Sequence, residues 1–474
     1  MSEHPTSDEL SKAKHDAGVS SSFLEFMSTS WAPEPVQVTG AHRVAEHTAR
    51  RRAQVAEAFP GEWLVIPTGH EVVRSNDTHH LFRANTDFYW LTGSTEADQV
   101  LVIDPEGQST LFLAPRSDNK TPAFMTNRVY GEAWVGPRLG LEETAALLAI
   151  STQPMAELEG VLGAAEHSKV RIVRGFDAKV DALVAERDED KILVETLNEL
   201  RLVKDSYELE RLREACASSA RGFEDVVREL AEAKKTSERY IEGTFYRRAR
   251  VEGNYVGYHS ICAASEHATT LHWWRNDGAV RDGDLLLLDA GVEHVELYTA
   301  DITRTLPISG QYSPEQREIY DLVYAAQEAA ISVTKPGASF LDPHNAAMEV
   351  LAKGLHDLGI LPISVEESLN PEVAYHRRWT LHGVSHMLGL DVHDCASARN
   401  EMYRAGTFEV GNVFTIEPGL YFRTDDELVP ARYRGIGVRI EDDIVVTEDG
   451  CENISAMLPR TADDVEAWMA KLLA

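Results

Sequence analysis

The stretch LLLLDAG at residues 285–291 decides the fold, and TADITRTLP follows it at residues 299–307. Four consecutive leucines between Asp-Gly-Asp and Ala-Gly predict a short buried β-strand, with Asp289 at its end. Asp301 precedes a second apolar, β-branched run. Burying a carboxylate without a partner costs several kcal/mol, so a cation or strong hydrogen bonds should lie beside these side chains.

Two later strands end in the same way. NVFTIEPG at 412–419 places Glu417 after an apolar run, and GVRIEDDIVV at 437–446 does so for Glu441. Between the two pairs of strands, LHGVSHMLGLDVHD at 381–394 supplies His382, His386 and His393. Together these side chains suggest one shared metal site.

Each feature also has a structural explanation when it is taken alone. Asp301 could pair with Arg304, and His382 and His386, four positions apart, could be core histidines on a helix. The run 441–443 could be a solvated acidic surface. Motif matches carry a real false-positive risk, but the structural explanation needs five independent coincidences.

Four carboxylates and one imidazole, without a thiolate, form a hard, oxygen-rich donor set. Such a set favours Mn²⁺ over a structural zinc ion. Four negative charges balance two divalent ions, and two neighbouring ions can share a hydroxide and polarise a carbonyl group. The residues therefore predict metal-assisted hydrolysis.

Capping signals predict the helices of this region. Asp205 and Glu208 fit a capping box, Ser313-Pro314 begins a second helix, and Asp342-Pro343 begins a third. The order after residue 200 is helix, helix, strands, and then the same again, which suggests a duplicated ααββ unit. We expect a loose arm at 1–37, a mixed α/β domain at 38–195 and a catalytic domain at 196–474.

Composition limits the partners and the compartment. The chain has 474 residues, 43% of them apolar and 26% charged, with a net charge of −31. These values exclude collagen, coiled coil and wholesale disorder, and a field of that sign repels nucleic acid and anionic membranes. Four scattered cysteines and a polar, acidic N-terminus predict a cytoplasmic protein without disulfides.

These segments resemble the aminopeptidase P and prolidase family, metallopeptidases of pita-bread fold, over about residues 40–460. The resemblance implies an α/β (α+β) chain whose C-terminal pita-bread domain follows a smaller mixed α/β domain. It implies five ligands to two divalent ions, most simply Mn²⁺, at Asp289, Asp301, His386, Glu417 and Glu441. The family's further histidines match His272 in TLHWW, His382 and His393.

The run VVRSNDTHHLFRANTDFYWLTG at 72–93 favours the aminopeptidase P branch, as does HGVSH with Ser385 before the ligand histidine. That branch cleaves the bond between a first residue and a following proline, so its substrates are peptides with proline in second place. It also implies a homo-oligomer, a dimer or a tetramer. The alternatives are an Xaa-Pro dipeptidase, a related organophosphate-hydrolysing enzyme and a non-catalytic pita-bread binding protein.

The resemblance also implies roles within the site. Asp289 chelates one ion, Asp301 and Glu441 bridge both, and His386 and Glu417 complete the other ion's shell. Glu417 acts as general base and acid, while His272 and His393 donate hydrogen bonds to the substrate and the tetrahedral intermediate. The remaining expectations concern residues around these groups: Arg439 orients the ligands, His382, Tyr258 and Arg439 line the substrate pocket, and Asp77 and Trp134 reach a neighbouring subunit's site.

One feature departs from the family pattern. Asp301 follows Asp289 by 12 positions, one more than the commoner spacing. Because side chains alternate along a strand, the connector GVEHVELY must absorb the extra residue in a bulge or a longer turn. If it does not, His294 or Glu296 becomes a misplaced candidate ligand.

Overall fold

A computed structural model describes residues 20–32, 38, 40–117 and 119–474. The chain divides into two compact units, one ending at Leu197 and one beginning at Asn198. Most of the expected arm at 1–37 lies outside the described residues, although Ser21–Met27 forms a helix, α1. Among the residues described, no helix is both long and apolar enough to cross a membrane.

The first unit is a five-stranded mixed sheet with short helices. Its strands are β1 Trp63–Pro67, β4 Val100–Ile103, β5 Ser109–Leu113, β6 Ser151–Pro154 and β7 Val170–Ile172, and a small hairpin adds β2 Val73–Ser75 and β3 Thr78–His79. Its helices are α2 Val44–Ala58, α3 Thr86–Thr92, α4 Ala123–Thr126, α5 Glu132–Val135, α6 Leu141–Leu148, α7 Leu158–Ala164 and α8 Ala178–Leu183. The sheet order is β6-β5-β4-β1-β7, with β1 antiparallel to β4 and parallel to β7.

The apolar runs predicted as strands in this unit are its core. Val65, Val100, Val102 and Phe112 are buried within one hydrophobic cluster. The mixed α/β prediction for this region is therefore confirmed.

The helix α9, Asp190–Arg201, carries the boundary between the units. The second unit then contains α10 Ser206–Arg228, α11 Leu230–Ala233, α12 Glu238–Glu252, α13 Pro314–Val333, α14 Asp342–Asp357, α15 Val365–Leu369 and α16 Ala462–Leu473. Its strands are β8 Tyr255–Val256, β9 Ile261–Ala264, β10 Leu285–Asp289, β11 Val292–Glu293, β12 Thr303–Pro307, β13 Val413–Ile416, β14 Gly419–Tyr421, β15 Gly437–Arg439, β16 Asp442–Thr447 and β17 Gly450–Asn453.

Capping fixes where the long helices begin. Asp205 accepts hydrogen bonds from the backbone N–H groups of Tyr207 and Glu208, and Glu208 accepts one from Asp205. Ser313 and Gln316 form the same box at the start of α13. These boxes satisfy N–H groups that a helix leaves without internal partners, and the predicted helix starts are confirmed.

The order helix, helix, strands occurs twice in this unit. Helix α10 packs on α12, and the antiparallel sheet β12-β10-β9 follows; α13 packs on α14, and the antiparallel sheet β13-β16-β17 follows. A bridge between Thr303 and Glu441 joins the two sheets. The predicted ααββ repetition is therefore present as topology.

The stretch 437–446 forms two strands rather than one. The stretch is interrupted at Ile440 and Glu441, because β15 pairs with β14 while β16 pairs with β13. The interruption places Glu441 where the sheet that contains β15 meets the sheet that contains β16.

Candidate metal centre

The four carboxylates lie at strand ends, as the sequence pattern predicts. Asp289 is the last residue of β10, Asp301 precedes β12, Glu417 stands between β13 and β14, and Glu441 stands between β15 and β16. Asp289, Asp301 and Glu441 are all buried. The two sheets thus direct one acidic cluster into the interior.

Asp301, His386 and Glu441 form the tightest group. Each offers one ligand atom, and these three atoms all lie within 4.8 Å of one another. The His386 Nε2 atom is 3.3 Å from Asp301 Oδ2 and 3.5 Å from Glu417 Oε1. This spacing suits a cation held between the oxygen and nitrogen atoms.

The orientation of His386 also fits a ligand. Its Nδ1 atom lies 3.1 Å from the Met387 carbonyl oxygen, which can only accept, so Nδ1 donates. The Nε2 atom then faces the carboxylate cluster, where a cation that displaced its proton would meet the lone pair. A fixed tautomer of this kind is typical of metal-ligating histidines.

Asp289 and Asp301 share one partner despite the unusual spacing. The Tyr258 hydroxyl lies 2.7 Å from Asp289 Oδ1 and 2.5 Å from Asp301 Oδ1. A phenol carries one proton and can donate to only one of the two oxygens at a time. Two carboxylates that approach the same hydroxyl place negative charge where a cation would be stabilised.

The segment between Asp289 and Asp301 turns tightly beyond β11. His294 donates its N–H to the Tyr298 carbonyl, Leu297 donates to the His294 carbonyl, and Leu297 has a left-handed φ of 66°. His294 lies 3.0 Å from Glu214, and Glu296 accepts from Tyr207 at 2.5 Å. Both alternative candidates therefore contact α10 rather than the acidic cluster.

Arg439 is the guanidinium that contacts this cluster. Its Nη2 donates to Asp289 at 2.6 Å, its Nη1 to the Tyr421 hydroxyl at 2.9 Å, and its Nε to Thr303 at 3.2 Å. Only 3% of Arg439 is exposed. Its guanidinium binds Asp289 and two hydroxyl groups and holds them in place. Its place as a pocket residue stays a prediction.

Burial changes the proton affinities of the cluster. It raises the pKa of Asp289, raises that of Glu417 to about 7 and raises that of Glu441 well above its ordinary value. Burial alone would lower the pKa of His386, but its bond to Asp301 and the charge of Glu417 raise it to about 9. The cationic side chains that contact the cluster therefore do not balance its negative charge. A set of carboxylates with this excess charge fits divalent cations.

His382 lies beside Glu417 as a neutral ring. Its Nδ1 donates to the Gly383 carbonyl at 2.8 Å, and its Nε2 accepts from the Tyr421 hydroxyl at 2.7 Å. Burial, together with the charge of Arg439, lowers the pKa of His382 to about 3. The suggestion that His382 and His386 lie on a helix is wrong, because residues 380–400, all described, contain no helix.

The other two predicted histidines are more exposed. The His393 ring stands nearly perpendicular to that of His386, with centroids 4.4 Å apart. Burial, followed by the charge of His386, lowers the pKa of His393. The His272 ring lies 6.0 Å from that of Trp274, centroid to centroid. Their catalytic roles remain predictions.

Three residues beside the site were missed. Thr303 donates to Glu441 at 2.6 Å, the Tyr421 hydroxyl joins His382 to Arg439, and Asp443 accepts the backbone N–H of Asp301 at 3.1 Å. The period of two along a strand could have found Thr303, two after Asp301, and Tyr421, four after Glu417.

The structural explanations for two carboxylates are also wrong. Arg304 pairs with Asp442 at 2.7 Å rather than with Asp301. Glu441, Asp442 and Asp443 are buried, so they are not a solvated acidic surface. A cluster of buried carboxylates around an oriented imidazole defines the chain as a metal-binding protein of the hydrolytic type.

The comparisons with known proteins agree with this geometry. Metallopeptidase family M24 matches residues 210–448, and the N-terminal domain of aminopeptidase P matches residues 48–173. The chain is 54% identical to Xaa-Pro aminopeptidase 1 of Streptomyces coelicolor over 96% of this chain and 93% of the relative. It is 34% identical to the Xaa-Pro aminopeptidase of Escherichia coli over 90% of this chain and 97% of the relative.

Solved structures give the same result. The low-pH form of aminopeptidase P from Escherichia coli superposes with a TM-score of 0.80 at 32% identity, over 91% of this chain and 99% of that one. Aminopeptidase PepP of Pseudomonas aeruginosa gives 0.79 at 31% identity, over 90% and 98%. This chain belongs to metallopeptidase family M24, with a pita-bread domain preceded by an N-terminal domain of the aminopeptidase P type.

Proposed function

We propose that this chain is a metallo-aminopeptidase that hydrolyses the bond between an N-terminal residue and a following proline. The observation that carries the proposal is the convergence of four carboxylates with His386 at the strand ends of two facing sheets. The similarity to Xaa-Pro aminopeptidases over nearly the whole chain supports the choice of substrate.

Two divalent cations, with Mn²⁺ as the native ion, would be held by Asp289, Asp301, His386, Glu417 and Glu441. The four carboxylates would supply oxygen ligands and His386 a nitrogen ligand, and the ligand atoms of Asp301, His386 and Glu441 all lie within 4.8 Å of one another. Bound cations supply a water of lowered pKa and polarise the scissile carbonyl. The hard donor set favours Mn²⁺ over Zn²⁺.

The chain's own groups then move protons and bind the substrate. Glu417, which lies 3.5 Å from His386 Nε2, would take a proton from water and return it to the proline nitrogen. His382 stays neutral and contacts Glu417 at 3.4 Å, which holds the carboxylate in place. His272 and His393 would donate hydrogen bonds to the substrate and to the developing oxyanion.

Tyr258 and Arg439 would support these groups. Tyr258 sets the separation of Asp289 and Asp301, and Arg439 fixes Asp289 and Tyr421. Both would border the substrate pocket beside the carboxylates that they contact.

The metal requirement is tested by chelation and reconstitution. Dialysis against a chelator should abolish hydrolysis of an Xaa-Pro peptide, and Mn²⁺ should restore it better than Zn²⁺. Full activity in protein that elemental analysis finds metal-free would refute the two-metal proposal.

Peptide length separates the proposed activity from its alternatives. We expect the Mn²⁺-loaded protein to cleave an Xaa-Pro-Xaa tripeptide and a longer peptide faster than an Xaa-Pro dipeptide. Cleavage confined to the dipeptide would indicate a dipeptidase, and cleavage of an organophosphate ester alone would indicate the related hydrolase. Absence of all three activities would favour a non-catalytic binding protein.

We further propose a cytoplasmic homo-oligomer, a dimer or tetramer, in which Asp77 and Trp134 border a neighbouring subunit's site. Arg128 donates to Asp77 at 2.8 Å and lies 4.4 Å from the centre of the Trp134 ring, and half of Trp134 is exposed. Light scattering measures the oligomer directly. Mixing Trp134→Ala with Glu417→Gln should restore activity only if subunits complete one another's sites.

A further inference from the structure

Three neighbouring aromatic rings lie on the surface of the catalytic unit. Trp274 is nearly parallel to His272, with ring centroids 6.0 Å apart and planes 24° apart, and it meets His259 edge to face at 6.4 Å. Trp274 is 61% exposed, and both histidines are exposed as well. We call His259, Trp274 and His272 the aromatic ledge.

The loop that carries the ledge is rigidly anchored. Glu238, at the start of α12, is completely buried and accepts four hydrogen bonds of 2.7–2.9 Å. The donors are the backbone N–H groups of Ala264 and Gly278 and the side chains of His267 and Trp273. An anionic acceptor with four donors fixes the loop at both ends.

The two neighbouring tryptophans face opposite ways. Trp273 donates to Glu238 and stacks on His267 with centroids 3.8 Å apart, so it packs inward. Trp274 is the one that the fixed loop turns to solvent. Because the loop is preorganised, binding a ligand on this ring would cost little ordering of the backbone.

The ledge begins beside the metal centre. His259 follows Tyr258, whose hydroxyl bonds to Asp289 and Asp301. His272, at the other end, is one of the two histidines to which the proposed function gives a substrate hydrogen bond. The ledge is therefore placed to contact the part of a bound peptide that extends out of the site.

We propose that the aromatic ledge binds the substrate residue after proline and that Trp274 confers a preference for an aromatic side chain there. This inference rests on the proposed function. An enzyme that releases one residue encloses only that residue on the amino side, while the rest of the peptide must run outward to solvent. An exposed group of rings at the edge of the site suits that outgoing part, and ring-on-ring contacts favour an aromatic occupant.

Two peptides that differ in one residue test the proposal. We would measure kcat/KM of the Mn²⁺-loaded protein on Ala-Pro-Phe-Gly and Ala-Pro-Gly-Gly. We expect the parent to prefer the phenylalanine peptide by about three- to ten-fold, the range of one aromatic pair. Trp274→Ala should abolish the preference, and Trp274→Phe should keep most of it.

The controls distinguish the possible failures. Val251→Ala, which removes an exposed apolar side chain from α12, should leave the preference unchanged. Equal rates on both peptides in the parent, or a preference that survives in Trp274→Ala, would overturn the proposal. So would an equal loss on both peptides in Trp274→Ala, because that result would indicate a general disturbance of His272. A parent that cleaves neither peptide would instead refute the proposed function itself.

Discussion

Two of the buried charge clusters in the catalytic unit differ in balance. In the first, Asp289, Asp301, Glu417 and Glu441 face one guanidinium, that of Arg439, and the imidazole of His386. In the second, Asp394 faces two cations, with Lys204 Nζ 3.0 Å and Arg201 Nη2 3.3 Å from its carboxylate oxygens, and the charge of the buried Glu208 also acts on Lys204. The first cluster has excess negative charge, and the second has none.

The pKa shifts follow this difference. Burial raises the pKa of Asp289, Glu417 and Glu441 in the first cluster. Burial would raise the pKa of Asp394 as well, but the charges of Lys204 and Arg201 lower it. The side chains of the second cluster therefore compensate one another's charges, whereas the first cluster is suited to bind added cations. Burial of charge alone does not identify a functional site; unbalanced charge does.

The two clusters are linked by one loop. His386 begins it, and Asp394 ends it, donating its N–H to the Met387 carbonyl at 2.9 Å. A Cβ on Gly389 would lie 2.2 Å from Asp394 Oδ2, so the loop closes tightly around that carboxylate. The balanced cluster thus fixes the segment that carries His386 and His393.

The largest expected effect comes from breaking the balanced cluster. Asp394→Ala would leave Lys204 and Arg201 buried without their counter-ion, which should lower the free energy of unfolding by about 3–5 kcal/mol. Urea unfolding of the metal-free protein measures this loss. Glu199→Ala is the matched control, because it breaks a pair in which Arg399 is exposed, and it should cost at most about 1 kcal/mol. Similar losses in both variants would contradict the proposed difference between buried and exposed pairs.

Breaking the unbalanced cluster should affect chemistry rather than folding. Glu417→Gln keeps the shape of the side chain but removes its charge and its proton transfer. We expect hydrolysis to fall by about two to three orders of magnitude, the scale of a lost transition-state group. The unfolding midpoint of the metal-free variant should equal or exceed that of the parent. A variant as active as the parent would exclude Glu417 from the reaction.

His393 lies in the loop that links the two clusters. Its substitution tests whether the ring takes part in the reaction or supports the structure of the loop. As an oxyanion donor, it should lose about 3 kcal/mol of transition-state stabilisation in His393→Ala, about a hundredfold in kcat, with little change in KM. Bound Mn²⁺ per chain and melting temperature should change little. Loss of metal or of fold in step with activity would assign His393 to the structure of the loop instead.

The sequence predicted the unbalanced cluster better than the balanced one. Each of its four carboxylates directly follows or precedes an apolar run, which local reasoning can detect. The balanced cluster joins Lys204 to Asp394 across 190 positions, and neither residue stands in an apolar run. Only the packed fold brings them together.

Predictions from local sequence patterns were also wrong where contacts made in the folded chain decided the structure. The acidic run 441–443 looked like surface, yet Arg304 and Gln327 bind Asp442, and Cys216 and the Asp301 N–H bind Asp443. Similarly, the spacing of His382 and His386 matched a helix, but the segment instead leads into the closed loop around Asp394. In both cases the deciding partners are distant in sequence.

The smallest expected effect concerns a third cluster, in the N-terminal unit, in which one half-exposed imidazole faces two carboxylates. His70 pairs through Nδ1 with Asp98, and its Nε2 lies 3.4 Å from Asp177, while 47% of the His70 side chain is exposed. The Tyr130 hydroxyl donates to Asp98 at 2.5 Å, and Asp177 also accepts from the N–H groups that begin α8. The bonds to Asp177 and Asp98 raise the pKa of His70 to about 10.

The sign of the resulting pH dependence follows from that shift. Folding favours the protonated ring, so the stabilisation is complete below the unfolded-state pKa of about 6.5 and disappears as pH rises through about 10. Exposure screens the pair, and we expect a contribution below about 1 kcal/mol. The measurement is urea unfolding of metal-free parent and His70→Gln at pH 6.5 and pH 10. The parent should be more stable than the variant at pH 6.5, and the difference should shrink at pH 10, because only the parent loses a paired charge. A difference that is the same at both pH values would mean that this cluster acts through packing rather than through charge.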